Sequence, residues 1–359
     1  MTLQQLGYGS EFEAAFAKYR AYGNVPGRVM REEREMYVVM TEHGELQAQV
    51  AGRLRHAALG RADFPTVGDF VALVCRPAEG NATIHGVLPR KSCISRKIAG
   101  ATTDEQLLAA NVDTVFLVSG LDGDYNPRRI ERYVAAAWES GARPVIILNK
   151  ADLCDDPESR VAEVESVAPG VAVHAVSAVD GRGMDALRAY LLPGQTIVFL
   201  GSSGVGKSTL TNALAGADLQ DTGGLRRGDG HGRHTTTSRQ LIPIAGGALL
   251  IDTPGLRAIT LWGEEGDLSN TFDDIEQVIA RCRFSDCQHR AEPGCAVREV
   301  LSQGTLDPGR LENYRKLQRE LRHLEGRQNQ RARLEERARG KQIRQFTRNR
   351  EKNRYSHLA

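Results

Sequence analysis

The fold is decided by one stretch of the sequence, Thr196-Ile-Val-Phe-Leu-Gly-Ser-Ser-Gly-Val-Gly-Lys-Ser-Thr-Leu-Thr211. From Gly201 to Ser208 it matches the pattern Gly-x-x-x-x-Gly-Lys-Ser/Thr. A β-prone apolar run precedes the match and a helix-forming run follows it, which is the order that a phosphate-binding loop requires. The alternative, a glycine-rich turn that arose by chance, leaves these flanks unexplained. The stretch therefore predicts a strand, a phosphate loop and a helix.

The residues of this loop are expected to hold the phosphates of a nucleotide. Glycines let successive backbone N–H groups converge on phosphate oxygens, and the helix N-terminus adds partial positive charge. Lys207 is expected to reach the β- and γ-phosphates and to act in catalysis, while the Ser208 hydroxyl holds Mg²⁺. The residues expected to contact the phosphates are Gly201, Ser202, Ser203, Gly204, Val205, Gly206, Lys207, Ser208 and Thr209.

A second motif, which lies before the loop, predicts which base is bound. It reads Asn149-Lys150-Ala151-Asp152 and follows a short apolar run. The Asp152 carboxylate only accepts hydrogen bonds, which suits the adjacent N1–H and amino donors of guanine. Adenine does not present those two donors together. The Asn149 amide is expected to reach the other edge of the base, and the Lys150 stem to pack on the ring. The motif therefore favours GTP over ATP.

Two further elements complete the expected nucleotide site. Ser177-Ala178 follows the next predicted strand and is expected to contact the base through its backbone. Asp252-Thr-Pro-Gly255 offers a carboxylate for Mg²⁺ and a glycine N–H for the γ-phosphate. Leu256 then stands where many GTPases place a water-orienting glutamine. We therefore expect slow intrinsic turnover, on the order of 10⁻⁴–10⁻² s⁻¹, and a partner that accelerates it.

A threonine-rich loop supplies the remaining catalytic candidates. It reads His231-Gly-Arg-His234-Thr-Thr236-Thr. One threonine, for which we choose Thr236, is expected to donate its hydroxyl oxygen to Mg²⁺. His234 is the candidate for orienting or deprotonating the attacking water. The alternatives are that His231 takes this role, or that His234 is an ordinary histidine of a surface loop.

The order of these motifs is itself informative. Most GTPases place the phosphate loop first and the base-reading elements last, whereas here Asn149 and Ser177 both precede Gly201. Because the termini of a domain often lie close together, a circular permutation can preserve the site in three dimensions. The predicted switch region after Asp252 then leads directly into another domain.

The regions around these motifs predict further elements. Residues 24–97 contain short alternating runs separated by turns, which fit a small β-barrel. A five-stranded OB-fold is the leading interpretation, and an SH3-like barrel is the alternative. Residues 92–111 are interpreted as a polar connection. Asn126-Pro127 predicts the start of a helix, whose apolar stripe contains Ile130, Tyr133, Val134 and Ala137.

The C-terminal part predicts a metal site and a helix. Three thiols and one imidazole lie within 14 residues, a full tetrahedral set for structural Zn²⁺: Cys282, Cys287, His289 and Cys295. The alternative is three buried thiols beside an unrelated histidine. An apolar stripe at helical spacing follows, formed by Leu311, Tyr314, Leu317, Leu321 and Leu324.

Composition and charge limit the possible classes of protein. The chain has 359 residues, 41% hydrophobic and 26% charged, which is ordinary for a soluble globular protein of two or three domains. Membrane-spanning and secretory segments are not expected, so we expect a cytoplasmic protein. Residues 326–359 hold eleven Lys/Arg against three Asp/Glu, although the whole chain carries only +2. This tail favours a polyanionic partner such as RNA, with a merely solvated tail as the alternative.

The combination of motifs resembles the ribosome small-subunit-dependent GTPase A (RsgA) family over nearly the whole chain. The resemblance implies an α/β fold: a circularly permuted P-loop GTPase domain (residues 98–266) between an OB-fold barrel (1–97) and a zinc-binding, mainly helical domain (267–359). It also implies slow GTP hydrolysis that the small ribosomal subunit stimulates during late maturation, with ribosomal RNA as the binding surface. Release of the GTPase or of other assembly factors would follow. The arginine-rich tail beyond Leu324 departs from the family pattern.

Two hypotheses of different classes follow from the sequence. The first is a GTP- and GDP-binding enzyme, monomeric off the ribosome and not membrane-bound, whose GTP cycle times binding to an assembling subunit. The second is an RNA-binding scaffold in which GTP is a static structural ligand. Lys207, Ser208 and Asp252 form a complete set for phosphate and Mg²⁺, which favours the enzyme.

Overall fold

The computed structural model describes residues 1–33, 36–58, 60–97, 105–216, 239–252 and 268–323. The strands are β1 (Val25–Glu32), β2 (Tyr37–Thr41), β3 (Gly44–Val50), β4 (Phe70–Arg76), β5 (Asn81–Val87), β6 (Cys93–Lys97), β7 (Glu105–Ala110), β8 (Thr114–Gly120), β9 (Arg143–Asn149), β10 (Ala172–Ala175), β11 (Thr196–Leu200), β12 (Arg239–Pro243) and β13 (Leu249–Asp252). The helices are α1 (Ser10–Arg20), α2 (Gly52–Ala57), α3 (Pro127–Glu139), α4 (Pro157–Val167), α5 (Met184–Arg188), α6 (Lys207–Ala215), α7 (Ser269–Ile279) and α8 (Ala296–Ser302). A last helix, α9, covers residues 308–323. Within these ranges no helix has both the length and the apolar character that a membrane crossing requires.

The first five strands form a closed barrel. Their order is β1-β2-β3-β5-β4, and β4 returns to pair with β1. All the pairings are antiparallel except that of β3 with β5, which is parallel. This ring has the connectivity of an OB-fold and decides between the two barrels considered from the sequence. Alternating apolar residues fill the barrel, including Val29, Val39, Val71 and Ile84, each fully buried.

Six strands form the sheet of the GTPase domain, in the order β10-β9-β8-β11-β13-β12. Every pairing among them is parallel except that of β12 with β13. Strands β8 and β11 are buried at every position, because helices or loops cover both faces of the sheet. The strand of the phosphate loop therefore lies inside the sheet, between β8 and β13.

Helix α3 confirms the start signal and the apolar stripe read from the sequence. The Asn126 side chain accepts a hydrogen bond from the Arg129 backbone N–H at 3.1 Å, and Pro127 occupies the first helical position. The four stripe residues are all buried: Ile130, Tyr133, Val134 and Ala137.

The interpretation of residues 92–111 as a polar connection is wrong, because β6 and β7 pair there as an antiparallel hairpin. Ile94 and Ala109 are neighbours in the register, and both are fully buried. On the half-buried side, the Arg96 guanidinium donates to the Gln106 amide oxygen at 3.1 Å. Arg96 and Gln106 therefore satisfy each other across the two strands. In the sequence each looks like a polar residue without a partner, which is why the segment resembles a polar connection.

The barrel and the GTPase sheet are joined by backbone pairing. Strand β12 pairs with β1, and Glu32 is the register partner of Arg239. The Arg239 guanidinium also donates to the Glu32 carboxylate at 3.1 Å and to the Leu107 carbonyl at 2.9 Å. Strand β12 leads through a hairpin to β13, which ends at Asp252. The element next to this candidate Mg²⁺ ligand is thus attached directly to the barrel.

A buried arginine on β1 makes a second connection between the barrel and the sheet. Arg28 is 1% exposed, and burial lowers its pKa to about 10, so the guanidinium stays charged at neutral pH. It lies over the Phe70 ring and donates to four acceptors: the carbonyl oxygens of Leu6, Gly68 and Asn111, and the Thr196 hydroxyl. Because Thr196 begins the phosphate-loop strand, one cation ties that strand to the barrel and to the N-terminal segment.

The C-terminal helices pack on α3 around another buried arginine. Arg310, 4% exposed, lies over the Phe272 ring and pairs with the fully buried Glu131 of α3 at 2.7 Å. It also pairs with Asp274 of α7 at 2.8 Å. The predicted stripe on α9 is confirmed for Leu311, Tyr314, Leu317 and Leu321, which are buried, while Leu324 and the basic tail lie outside the described residues.

Replacing Arg310 with methionine is expected to lower the free energy of unfolding by about 3 kcal/mol, because Glu131 would lose a buried partner. Arg128 also contacts Glu131, at 2.9 Å, and keeps the loss at the lower end of the range for broken buried pairs. Urea denaturation measures the change. Arg319→Met on the exposed face of the same helix is the control and is expected to change stability by less than about 0.5 kcal/mol. A loss below about 1 kcal/mol for Arg310→Met would mean that the pair behaves like a surface ion pair.

Candidate functional site

The carboxyl ends of the parallel strands bring the predicted motifs to one edge of the sheet. Gly201 follows β11, Asn149 ends β9, Ser177 follows β10 by two residues, and Asp252 ends β13. In a parallel sheet these ends lie on the same side, where ligands bind at α/β sheets. Elements that are up to about a hundred residues apart in the sequence therefore meet in one place.

Two glycines of the phosphate loop are required by its surroundings. A Cβ on Gly201 would lie 2.2 Å from the Val118 carbonyl oxygen, and one on Gly206 would lie 2.3 Å from the Asn149 amide nitrogen. Gly206 also has φ +94°, a conformation that favours glycine, and helix α6 begins at the next residue. The backbone can therefore fold tightly against β8 and β9, leaving the helix N-terminus open toward the loop.

Lys207 points back into the phosphate loop. Its ammonium donates to the carbonyl oxygens of Gly201 at 2.7 Å and Ser202 at 2.6 Å. These contacts place the cation at the loop itself, beside the amides that would meet the phosphates. Ser203 and Gly204, in the middle of the phosphate loop, are exposed, while Ser208 and Thr209 are half-buried at the start of α6.

Asn149 joins the phosphate loop to the base-reading loops. It is 2% exposed, and its amide nitrogen donates to the Val205 carbonyl at 2.8 Å. Its amide oxygen accepts from the Ala178 backbone N–H at 3.3 Å. Both ends of the amide are thus hydrogen-bonded to protein atoms. The side chain holds together the phosphate loop, the loop after β9 and the loop after β10.

Of the other residues predicted to read the base, Asp152 faces solvent, whereas Ala151 and Ser177 are buried. Lys150 adopts φ +65°, a left-handed conformation that is uncommon for a residue with a side chain, and turns the chain sharply after β9. Ala151 is buried below the turn, its N–H donating to the Val176 carbonyl at 3.0 Å, and Asp152 is exposed beyond it. Ser177 is fully buried, and its hydroxyl accepts from the Asp180 N–H at 3.3 Å.

Asp122 is a site residue that the sequence interpretation missed. Its carboxylate accepts a hydrogen bond from the Lys150 ammonium at 2.6 Å, and this bond holds the pKa of Asp122 below its usual value. Asp122 follows β8 in an acidic turn that matches no nucleotide-binding motif. Only the fold brings it to within reach of Lys150, 28 residues later.

Asp252 has the environment of a carboxylate that a cation would stabilise. Burial raises the pKa of Asp252 above its usual value. A divalent cation at this edge of the sheet would offset that desolvation, so the residue fits its expected role as a Mg²⁺ ligand. His231, His234, Thr236, Gly255 and Leu256, which carry the other catalytic expectations, lie outside the described residues.

The second candidate site is the Cys/His cluster between α7 and α8. One ligand atom from each of Cys282, Cys287, His289 and Cys295 lies within 4.8 Å of the others. The His289 Nδ1 atom is 3.6 Å from the sulfur of Cys282 and 3.6 Å from that of Cys295. Three thiols and one imidazole converging in this way could hold a tetrahedral metal such as zinc.

The sheet order and the site together define a class of protein. The phosphate-loop strand β11 lies inside the sheet, and the strands that lead to Asn149 and Ser177 come before it in the chain. They belong to the same sheet, with β8 between them and β11. The protein is a circularly permuted P-loop GTPase with an OB-fold barrel before the GTPase domain and a mainly helical domain after it. It is therefore an enzyme that hydrolyses GTP.

The comparisons with known proteins show the family. The family model for the RsgA GTPase matches residues 87–262. A "Small ribosomal subunit biogenesis GTPase RsgA" of Opitutus terrae is 48% identical over 329 residues, covering 89% of this chain and 90% of the relative. A relative of the same description from Syntrophotalea carbinolica is 47% identical, with the same two coverages. The chain belongs to the RsgA GTPase family.

Solved structures show the same architecture. The crystal structure of YjeQ from Thermotoga maritima matches with a TM-score of 0.62 and 30% identity, covering 83% of this chain and 98% of that one. The structure of YloQ, described as a circularly permuted GTPase, has the same fold, with a TM-score of 0.60 and 24% identity over 84% of this chain and 96% of that one.

Proposed function

We propose that this protein hydrolyses GTP during biogenesis of the small ribosomal subunit. It binds the subunit through ribosomal RNA late in maturation, turns GTP over slowly alone and faster on the subunit, and couples hydrolysis to its own release or that of other assembly factors. The observation that carries the proposal is the convergence of the phosphate loop, the Asn149–Asp152 turn and Asp252 at one sheet edge. The small subunit is proposed because the relatives are small ribosomal subunit biogenesis GTPases.

The residues that bind GTP divide into three groups. The phosphate loop, from Gly201 to Thr209, receives the phosphates on its backbone amides, on Lys207 and on Ser208. The Asp152 carboxylate accepts from guanine while the Lys150 stem and the backbone of Ser177-Ala178 flank the base. The third group comprises Asn149 and Ala151, which hold these loops in place through the hydrogen bonds described above, and Asp252 and Gly255, which act at Mg²⁺ and the γ-phosphate.

Hydrolysis depends on charge neutralisation around the transferred phosphate. Mg²⁺ bound at Ser208, Thr236 and Asp252 would neutralise phosphate oxygens, and Gly255 would donate its N–H to the γ-phosphate. His234 orients or deprotonates the attacking water. Leu256 stands in place of a water-orienting glutamine, which is why we expect slow turnover until the subunit completes the site.

The Cys/His cluster is proposed to bind one structural zinc ion. All four ligand positions come from the protein, so no position remains for a catalytic water. The ion would fix the otherwise irregular segment between α7 and α8. It would thereby stabilise the helical domain that packs on α3 through Arg310.

Metal analysis tests the zinc site. Freshly purified protein is expected to contain one zinc ion per chain, and Cys295→Ser to lose most of it, because the remaining three ligands bind more weakly. The Cys75→Ser variant, which changes a thiol of the barrel, is the control and should retain the metal. Zinc-free wild-type protein, or full retention in Cys295→Ser, would contradict the assignment.

The proposed cellular setting follows from the subunit. A GTPase that binds assembling ribosomal subunits acts in the cytoplasm, and we propose that it is a monomer when free. The OB-fold domain (1–97), the GTPase domain (98–266) and the zinc domain with its basic tail (267–359) are the proposed functional units. The 97/98 boundary falls within the β6–β7 hairpin, so the first two units share a structural element.

The decisive experiment measures GTP turnover with and without purified small ribosomal subunits, and with large subunits as the control. Stimulation of at least about tenfold by small subunits alone is expected, since completing a GTPase site in trans accelerates hydrolysis strongly. GTP binding without stimulation would instead support the RNA-binding scaffold with a static nucleotide.

A further inference from the structure

The loop that carries the first three metal-ligand candidates also presents an aromatic ring and three cations to solvent. We call residues 281–290 the tip. Arg281, Arg283 and Arg290 are exposed there, and Phe284 has 42% of its surface exposed. A single exposed apolar side chain is ordinary on a protein surface, so the exposure of Phe284 alone indicates no function. What distinguishes this position is its setting, because an arginine lies over the ring and further exposed arginines are close to it in the sequence.

The ring is supported from one side. The Arg283 guanidinium lies over Phe284, 5.5 Å from the ring centre. The stem of Arg283 packs near Gly294, where an added Cβ would lie 3.1 Å from the arginine Cβ, and the Arg283 N–H donates to the Gly294 carbonyl at 3.1 Å. Arg283 is thus held in place on one side of the ring. The other side is available for a second planar partner.

The backbone of the tip is fixed where the ring emerges. The Cys287 N–H donates to the Phe284 carbonyl at 3.3 Å, which closes a turn at the ring. Arg315 of α9 donates to the carbonyls of Gln288 and His289 at 3.4 and 3.5 Å. These contacts reduce the ordering that a partner would have to impose on the tip.

The charges of the tip favour an anionic partner. Three exposed arginines stand against one exposed carboxylate, Asp286. The neighbouring Glu292 carboxylate accepts from the backbone N–H groups of Gln288, Arg290 and Ala291 at 2.7–3.0 Å, which satisfies its charge within the loop. The tip therefore offers cations for phosphates around one exposed ring.

We propose that the tip binds single-stranded RNA by stacking an unpaired base on Phe284. Sequence-specific and single-stranded RNA recognition uses aromatic rings and guanidinium planes for bases, with cations along the backbone. Arg281 and Arg290 contact the flanking phosphates, while Arg283 supports the ring. The proposal deepens the proposed function, on which it rests, because it assigns one contact to an unpaired nucleotide of the subunit's RNA.

A protein partner is the competing occupant, and the tip fits it less well. A docking site for a protein is expected to bury a contiguous apolar surface of several hundred Å². Among the described residues of the tip, Phe284 is the only exposed large apolar side chain, and its sequence neighbours Arg283, Ser285 and Asp286 are exposed charged or polar residues. One ring with cations around it suits a base and its phosphates better.

The test uses the full chain and an unstructured eight-nucleotide RNA, with binding measured by fluorescence anisotropy. Phe284→Ala is expected to weaken binding by about tenfold, within the range that loss of one base–aromatic stack produces. Phe284→Tyr is expected to bind as the parent does, because it keeps the ring. Phe284→Leu, which keeps an apolar side chain of similar size, is expected to behave like the alanine variant.

A tryptophan at the same position reports the stack directly. Phe284→Trp is expected to show emission that the RNA quenches beyond the quenching of the parent protein, since a base on the indole contacts the fluorophore. Equal affinity of the parent and the Ala variant for RNA, or no additional quenching, would overturn the proposal. A Leu variant that retains parental binding while Ala loses it would also overturn it, because the RNA contact would then need an apolar side chain but no aromatic ring.

The rate of GTP hydrolysis with small subunits distinguishes failure of the stacking proposal from failure of the proposed function. If subunits fail to stimulate the parent protein, the proposed function fails whatever the RNA assay shows. If the parent is stimulated but Phe284→Ala binds the RNA unchanged, only the stacking proposal fails. Zinc content and GTP turnover without subunits should be the same in all four variants and the parent, which excludes damage to the fold.

Discussion

Replacing Lys207 with alanine is expected to reduce the rate of GTP hydrolysis at saturating GTP by about 10²–10³-fold, the cost of removing one donor aimed at developing charge. The ammonium lies within 2.7 Å of two loop carbonyls, Gly201 and Ser202, so it is held at the loop that is proposed to bind the phosphates. Charge on the transferred phosphate oxygens changes in the transition state, and a cation fixed at that position stabilises it. Single-turnover hydrolysis on small subunits measures the effect without the contribution of product release.

Lys150→Ala is the matched control, because it removes a second lysine from the same site. Its ammonium pairs with Asp122 at 2.6 Å, and its stem is expected to flank the base, far from the transferred phosphate. It should therefore raise the GTP concentration needed for half-saturation while leaving the rate at saturation within about threefold, as loss of uniform binding does. If Lys207→Ala shows this same pattern, Lys207 contributes binding and no catalysis.

The local parts of this site could be predicted because short-range rules determine them. A strand, a glycine-rich turn and a helix N-terminus follow each other within sixteen residues from Thr196 to Thr211, so the phosphate loop can be recognised without knowing the fold. The same holds for the start of α3 at Asn126 and for the convergence of the four Cys/His ligands. Their geometry depends on few contacts from elsewhere in the chain.

The connections between domains could not be predicted, because they depend on long-range pairings. Arg28 gathers acceptors as distant as Thr196, and Arg310 pairs with Glu131 of α3 across 179 residues. In the sequence, nothing distinguishes either arginine from the other Lys and Arg residues, which number 47 in all. The two hydrogen bonds of the Asn149 amide likewise depend on Val205 and Ala178 lying close to it, and the motif itself does not encode this proximity.

The choice between an OB-fold and an SH3-like barrel, which the sequence left open, was decided by strand pairing. Alternation predicted strands in the barrel region but not their partners, and the parallel β3–β5 pairing selected the OB-fold. The β6–β7 hairpin was missed for the related reason that its polar residues satisfy each other. Periodicity reports which face of a strand is buried, whereas partner choice depends on the whole chain.

The last prediction concerns the base. Replacing Asp152 with asparagine is expected to weaken GTP binding by about 10²–10³-fold, because two charge-assisted hydrogen bonds to guanine are lost and an amide donor meets the guanine donors. Xanthine carries a carbonyl in place of the guanine amino group, so the asparagine N–H can donate to it. Binding of XTP is therefore expected to improve as that of GTP falls, and the two affinities are measured by competition against a fluorescent nucleotide.

The position of Asp152 makes this exchange of specificity a clean test. The residue is exposed beyond the left-handed turn at Lys150, so the substitution should leave the free energy of unfolding within about 0.5 kcal/mol of the parent. Asp155→Asn removes an equally exposed carboxylate three residues later and is expected to leave both affinities unchanged. Since acceptor-only chemistry at residue 152 is proposed to distinguish guanine in this site, an Asp152→Asn protein that still prefers GTP would show that the base is read elsewhere.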